Sequence, residues 1–144
     1  ELGLGNDDAW HRDPRTAGDN RWMHRPAMPW DLAERRHDPR TVEGRIFGGL
    51  RTLIRARRTT PQLHAAHSAL VLDLGHPHLF AFVRPNPVGD LMAVFNLTEA
   101  PQRVGAGFLR EAGLEQPIDR IRGVRPDVAA GTLHLAPYEA LWLA

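Results

Sequence analysis

The sequence predicts a mixed fold, in which a long loop and one amphipathic helix precede an all-β antiparallel sandwich. Three observations lead to this expectation. The first 30 residues are rich in turn-forming residues and lack a clear apolar period. Residues 39–58 repeat apolar side chains at helical spacing, and beyond Pro61 they recur at every second position. The chain therefore divides into two regions, 1–60 and 61–144.

The composition argues against several classes of protein. The chain carries 18 basic and 17 acidic side chains, so its charge gives no case for binding nucleic acid or an anionic membrane. No apolar run approaches the ~18 residues of a membrane helix. Without cysteine there is no disulfide framework, which favours a cytoplasmic over a secreted protein. The chain begins with Glu1 rather than methionine, and this indicates a fragment or a processed chain.

The first region opens with a loop that we expect to be ordered. Three of the four tryptophans lie within it, at Trp10, Trp22 and Trp30, and a disordered tail rarely carries so many. Long loops of this kind are usually functional when they are ordered. A short helix is expected around Pro29–Arg36, with Pro29 at an early position.

The clearest predicted element is the helix that follows. Asp38 is expected to be its N-cap and Pro39 its first residue, and Pro61 lies just beyond its end. Arginines crowd its last turns, where positive charge complements the helix dipole. Its apolar stripe consists of Val42, Ile46, Leu50, Leu53 and Ile54. Three glycines (44, 48 and 49) weaken its intrinsic propensity, so this helix should depend on tertiary packing.

Short β-rich runs separated by turn signals fill the second region. Such spacing is typical of an antiparallel sandwich. Within the last run, Tyr138 and Trp142 alternate like core residues. The predicted strands are 69–74, 79–84, 91–97, 102–105, 118–121, 132–135 and 138–143.

The densest cluster of chemically useful side chains is the segment 18–26. It combines a carboxylate (Asp19), an amide, two guanidinium groups, an imidazole and the indole of Trp22. Sugar sites use bidentate donors and acceptors for pairs of hydroxyls, together with an indole against an apolar ring face. An ion-paired surface loop anchored by tryptophan explains the same residues, and this segment alone does not decide between the two interpretations.

Other motifs give weaker signals. His64 with His67, and His76 with His78, lack the Cys or His-Glu-x-x-His context of zinc sites, so no metal site is predicted. Asn96-Leu97-Thr98 matches a glycosylation sequon, which matters only in a secretory context. The arginines at the end of the long helix lack the basic face and recognised module of a nucleic-acid binder.

Taken in order, several motifs resemble the C-terminal end of an amylosucrase, a member of the α-amylase superfamily. The Arg-Trp-x-His-Arg-Pro pattern is the most specific, whereas the Asn-Leu-Thr and Pro-Tyr-x-x-x-Trp-Leu patterns suit many superfamily members. The resemblance runs over essentially the whole chain, and its motifs are residues 1–7, 19–26, 38–41, the helix at 44–58, residues 96–99 and residues 135–143.

The resemblance implies an architecture. Residues 1–60 would be the end of a (β/α)8 barrel, made of its last long loop and last helix, and 61–144 would be a separate C-terminal β-domain. A complete barrel needs about 250 residues, so most of the barrel would lie outside this chain.

The resemblance also implies an activity for the full-length parent enzyme, namely transfer of glucose from sucrose to an α-1,4-glucan by a retaining mechanism. The two catalytic carboxyl groups lie on earlier barrel strands in this family, so the chain would hold no catalytic residue and be inactive alone. The implied partners are sucrose, the glucan acceptor and the remainder of the barrel, with no cofactor and no metal. Two alternatives stay open: a sucrose hydrolase of the same fold, and a non-catalytic carbohydrate-binding or structural β-module.

One substrate-binding residue is implied. Arg21 matches the family's loop arginine, which pairs with an upstream aspartate at the bottom of the glucose pocket. Its bidentate fork suits that task better than the point charge of a lysine. Asp19 and Trp22 would position the loop.

Overall fold

The computed structural model describes residues 1–144. They form two compact units, Glu1–Ile54 and Arg55–Ala144. The first unit is loop and helix, and the second consists mainly of antiparallel β-strands. The predicted mixed fold, in which a helical region precedes antiparallel β-structure, is confirmed. None of the helices combines the length and the apolar character that crossing a membrane requires.

The first unit is irregular up to residue 29, apart from two short 3₁₀ turns at Trp10–Arg12 and Asn20–His24. Helix α1 (Trp30–Glu34) follows and continues as a 3₁₀ turn, which confirms the short helix expected in this part of the chain. Helix α2 spans Val42–Arg58. The buried apolar residues of this unit are Leu2 and Ala33. Because so little apolar surface is buried here, polar bonds between nearby residues must provide much of the unit's order.

Helix α2 begins three residues later than Asp38 and Pro39 predicted. The Thr41 Oγ1 accepts the Gly44 N–H at 3.0 Å, so Thr41 is the N-cap. The preceding residues form a turn instead, in which the Thr41 N–H donates to the Asp38 carbonyl oxygen at 3.1 Å. Proline at the second position of such a turn has the same φ as at a helix start, and for that reason the sequence pattern misplaced the boundary.

Gly44 lets the turn at residue 38 lie directly against the first turn of α2. A Cβ on Gly44 would overlap the Asp38 carbonyl oxygen and would lie 2.6 Å from the Asp38 carbonyl carbon. Gly48 lies one turn further along the same helix and has no atom within 4 Å of its Cβ position. Only the first of these glycines is therefore required by packing.

The second unit contains two antiparallel sheets. The strands are β1 (Leu70–Leu72), β2 (Leu79–Arg84), β3 (Leu91–Asn96), β4 (Gln102–Gly105), β5 (Val128–Ala129), β6 (Thr132–Leu135) and β7 (Ala140–Leu143). One sheet has the strand order β1-β2-β3-β7, and the other has the order β4-β6-β5. A short helix, α3 (Gly107–Glu111), follows β4.

The core of this unit joins residues from both sheets and from α3. Met92 and Val94 of β3 pack in one cluster with Leu133 and Leu135 of β6 and with Leu109 of α3. All five side chains are at most 4% exposed. Burying a side chain of this size contributes about 1.5–3 kcal/mol, so the cluster accounts for much of the unit's stability.

The strand predicted at 118–121 is absent, and a loop built around a buried carboxylate replaces it. Asp119 is 0% exposed, and its Oδ1 accepts the N–H groups of Ile121 at 3.1 Å and Trp142 at 3.0 Å. Its Oδ2 lies 3.1 Å from the Arg122 guanidinium group. A buried charge must be compensated by hydrogen bonds and a counter-charge, and this need shapes the loop.

The Asn96 side chain has a structural task that is incompatible with glycosylation in the folded chain. Asn96 is 2% exposed, and its Nδ2 donates to the carbonyl oxygens of Ala100 and Ala136, each at 2.8 Å. Its Oδ1 accepts the Thr98 N–H at 3.0 Å. The sequon therefore serves to join two loops at one end of the sandwich.

Tyr138 and Trp142 are not core residues, contrary to prediction. Tyr138 is 65% exposed and has a φ of +54°, since it follows Pro137 in the turn before β7. Trp142 is partly buried and lies on the opposite face of β7 from the buried Leu141 and Leu143. The apolar run has the predicted period, but its aromatic residues face away from the core.

We expect Gly44→Ala and Gly48→Ala to change stability in opposite directions. The clash at residue 44 should destabilise the chain by about 1–3 kcal/mol, even though alanine favours a helix. At residue 48 the same change should stabilise it by about 0.5–1 kcal/mol. Urea unfolding followed by circular dichroism measures both. A stabilising Gly44→Ala would contradict the close approach described here.

Candidate functional site

The cluster predicted at 18–26 is built on a 3₁₀ turn that Asp19 caps. The backbone of Asp19 is extended, and its Oδ1 accepts the Arg21 N–H at 3.0 Å. Its carbonyl oxygen accepts the Trp22 N–H at 3.1 Å. The side-chain bond satisfies an N–H group that has no backbone partner within the turn, and the carbonyl bond is the first i→i+3 bond of the turn itself. One residue thereby sets the course of the backbone at both Arg21 and Trp22.

The Asp19 carboxylate also holds the Arg21 side chain. The Arg21 Nε lies 2.8 Å from Oδ1, and Nη2 lies 2.7 Å from Oδ2. This is the bidentate geometry in which an arginine pairs most strongly with a carboxylate. The Arg21 side chain is nevertheless 72% exposed, against 33% for Asp19. The guanidinium group is thus both oriented and accessible.

The same arrangement occurs twice more in the first unit. Asp13 holds Arg15, and Asp38 holds Arg40, in each case through the backbone N–H and the Nε and Nη2 groups of the arginine. We refer to these three Asp-x-Arg arrangements as staples. Their repetition shows that the staple is a local turn structure, so it does not by itself identify Arg21 as a binding residue.

The staples lower the pKa values of their carboxyl groups. The pKa of Asp19 falls from 3.8 to about 2, mainly because its carboxylate accepts the side-chain hydrogen bonds of Arg21. The bond from the Arg21 backbone N–H is the next cause, and the charge of Arg25 adds to it. The same side-chain hydrogen bonds with Asp19 raise the pKa of Arg21. Asp19 is therefore ionised throughout the pH range in which enzymes usually work.

Two bonds join the cluster to the start of the chain. The Asp7 N–H donates to the Met23 carbonyl oxygen at 2.7 Å, and the His24 Nδ1 lies 3.0 Å from the Asn6 Oδ1. An open cleft of about 330 Å³ lies alongside, lined by residues 1–6, 24–26 and 28. The end of the cluster, residues 24–26, thus lines a polar cleft in the first unit, whereas Asp19, Arg21 and Trp22 do not line it.

The structure places the three predicted site residues in one loop, where Asp19 orients Arg21 and Trp22 is 40% exposed. Their roles in binding a substrate stay predictions. Asn6 is not among the predicted site residues, although it lies in the motif at residues 1–7. Only the fold shows that it meets His24.

The histidine pairs behave as turn residues. The His64 Nδ1 accepts the Ala66 N–H at 3.2 Å, and the His76 Nδ1 accepts the His78 N–H at 3.3 Å. No group of three or more His, Cys, Asp or Glu side chains that could hold a metal ion occurs in the structure.

The outer face of the four-stranded sheet carries an aromatic cluster of three residues: Phe80, Phe82 and Phe95. Their ring centroids lie 5.9–6.1 Å apart, and Phe80 is 40% exposed. Phenylalanine offers no hydrogen-bonding group, so this face suits packing against an apolar surface better than binding a polyol.

Titration of Asp19 tests the staple directly. A carboxyl group whose pKa is lowered on folding stabilises the fold above its unfolded pKa, and this contribution is lost as the pH falls through the folded value of about 2. In Arg21→Ala we expect the Asp19 pKa to return towards 3.8, whereas Arg15→Ala should leave it unchanged. Carboxyl ¹³C NMR between pH 1.5 and 6 follows each group. An Asp19 pKa near 3.8 in the unaltered chain would be incompatible with the staple.

The fold has counterparts among solved structures. The chain matches a mutant of MutB in complex with the substrate sucrose at 22% identity and a TM-score of 0.57, covering 78% of this chain and 19% of that chain. The trehalulose synthase MutB from Pseudomonas mesoacidophila MX-45 matches at 21% identity and a TM-score of 0.54, with coverages of 78% and 20%. A mutant of AmyP in complex with maltotriose matches at 17% identity and a TM-score of 0.56, with coverages of 72% and 21%. The chain spans about a fifth of each of these proteins.

A family comparison adds the sequence relationship. Residues 70–144 match the model of the amylosucrase C-terminal domain, and this range is more than half of the chain. It contains every strand of the two sheets. The resemblance seen in the sequence motifs is therefore confirmed, and the chain belongs to the amylosucrase C-terminal domain family.

Proposed function

We propose that this chain is the C-terminal part of a retaining glucosyltransferase of the α-amylase superfamily that cleaves sucrose. In this proposal, residues 1–60 complete the barrel and residues 61–144 are its C-terminal β-domain. The parent enzyme transfers the glucosyl group of sucrose to an α-1,4-glucan and releases fructose. The observation that carries the proposal is the match of residues 70–144 to the amylosucrase C-terminal domain family.

The exposed stripe of α2 supports the proposal that residues 1–60 belong to a larger domain. Amphipathic helices of globular proteins bury their apolar face. In α2 that face is open, since Val42 is 49% exposed and Ile54 is 57% exposed. A helix of a (β/α)8 barrel buries such a stripe against the barrel strands, which the remainder of the parent enzyme would supply.

In this mechanism Arg21 binds substrate and takes no part in proton transfer. Two carboxyl groups elsewhere in the parent would act as the nucleophile and as the acid/base of a retaining reaction. The Arg21 guanidinium group would pair with an upstream aspartate of the parent and so close the glucosyl pocket. It would also help to hold glucosyl hydroxyls, because its donors match pairs of acceptor oxygens. Trp22, 40% exposed beside it, would hold the loop against the barrel.

We propose a structural role for residues 61–144. Their core joins both sheets, and the Phe80, Phe82 and Phe95 cluster leaves an apolar outer face suited to packing. Exposed Tyr138 stands alone at a turn, where its hydroxyl donates to Glu99 at 3.2 Å, and does not extend a row of aromatic side chains. Binding of maltooligosaccharides by this region would favour the alternative of a carbohydrate-binding module.

Sucrose hydrolysis and sucrose isomerisation are the competing reactions. Isomerisation is included because the chain has the same fold as part of a trehalulose synthase, to which it is 21% identical. Analysis of the products that the parent enzyme forms from sucrose separates the three. Glucan with fructose supports transfer, glucose with fructose alone supports hydrolysis, and a sucrose isomer supports isomerisation.

We expect Arg21→Ala in the parent enzyme to lower kcat/KM for sucrose by a factor of about 100 or more, since charge-assisted bidentate bonds to the sugar site would be lost. Arg15→Ala removes an arginine held by the same kind of staple and is the matched control, and Arg58→Ala is a second control. Both should stay within about twofold of the unaltered enzyme. Equal, small effects in all three variants would remove Arg21 from the sucrose site.

A further inference from the structure

The two edges of the Arg21 guanidinium group have different surroundings. Its Nε–H and one Nη2–H donate to Asp19, at 2.8 Å and 2.7 Å. A guanidinium group has five N–H donors in a planar fork, so three remain, two on Nη1 and one on Nη2. The side chain makes no other hydrogen bond in the structure and is 72% exposed. A complete second edge is therefore free for two acceptor oxygens.

Asp19 is itself held firmly, so it determines the direction of that free edge. Its N–H donates to the Thr16 carbonyl oxygen at 3.0 Å, and its carbonyl oxygen accepts the Trp22 N–H at 3.1 Å. Its Oδ1 accepts the Arg21 backbone N–H at 3.0 Å. The backbone of Asp19 is thus held through both its N–H and its carbonyl group, and its carboxylate is tied to the backbone N–H of the residue that it grips.

We propose that Asp19 is a positioning residue, which grips Arg21 by its Nε and Nη2 edge and thereby directs the Nη1 and Nη2 edge at paired oxygens of the sucrose site. This inference rests on the proposed function. An arginine loses rotamer freedom when it binds a ligand, and a side chain already held in one orientation loses less. Asp19 would therefore act on the affinity for sucrose through Arg21 alone.

The first unit offers a matched control for this idea. Asp38 and Arg40 repeat the staple with Nε–Oδ1 and Nη2–Oδ2 distances of 2.9 Å and 2.8 Å. The Arg40 side chain is 88% exposed, and the proposed function assigns it no substrate contact. Removing the Asp38 grip thus measures what the loss of a staple does to folding alone.

The test uses the parent enzyme with Asp19→Asn, Asp38→Asn, Arg21→Ala and the double variant Asp19→Asn with Arg21→Ala. Asparagine keeps the Oδ1 acceptor for the backbone N–H and loses the bidentate grip. We expect Asp19→Asn to raise KM for sucrose about tenfold, with kcat changed by less than threefold. Asp38→Asn should stay within twofold, and Asp19→Asn should have no further effect once Arg21 is alanine.

The outcomes separate this inference from the proposed function. If Arg21→Ala leaves sucrose turnover intact, the substrate-binding role that the proposed function gives to Arg21 fails, and the positioning role of Asp19 fails with it. If Arg21→Ala is severe but Asp19→Asn changes KM by less than twofold, Asp19 does not position Arg21. Equal effects of Asp19→Asn and Asp38→Asn, or an undiminished Asp19→Asn effect in the Arg21→Ala background, would likewise overturn the positioning role.

Discussion

The interaction on which the loops of this chain depend is a bond from a backbone N–H to the side-chain oxygen of an Asp or Asn two residues earlier. Turns leave N–H groups without backbone partners, and a short side chain with an acceptor oxygen satisfies them locally. In this chain the bond recurs in both units at distances of 2.8–3.1 Å. The residues that provide it are Asp7, Asp13, Asp19, Asp38, Asp73, Asn86, Asn96 and Asp119.

This bond has different consequences in the two units. In Arg55–Ala144 it acts beside a core that joins both sheets, so the buried side chains of Asn96 and Asp119 connect loops to strands that packing already holds. Glu1–Ile54 buries little apolar surface of its own, and there the bond is a main source of order. Where the residue two positions after the aspartate is an arginine, the carboxylate also binds the arginine side chain. The turn then holds a positive charge in a fixed orientation.

Sequence periodicity predicted those parts of the fold in which packing sets the pattern. Strands β2, β4 and β6 have the predicted bounds, because alternation follows directly from one buried face. It failed where a polar side chain decides the conformation, at the Thr41 cap and at the loop around Asp119. The site loop was found because Asp19, Arg21 and Trp22 are close in sequence. The pairing of the Asp19 and Arg21 side chains was not predicted, because a spacing of two residues brings them together only when Asp19 is extended and a turn follows.

The position of bound sucrose relative to Arg21 is the most direct test of the account. The measurement is a crystal structure of the parent enzyme, inactivated at a catalytic carboxyl group and soaked with sucrose. We predict that the Arg21 guanidinium group lies at the glucosyl pocket, with Nη1 and Nη2 within hydrogen-bonding distance of paired oxygens and Nε still on Asp19. A complex in which Nη1 and Nη2 have no oxygen of the glucosyl pocket within about 3.5 Å would contradict the role assigned to Arg21.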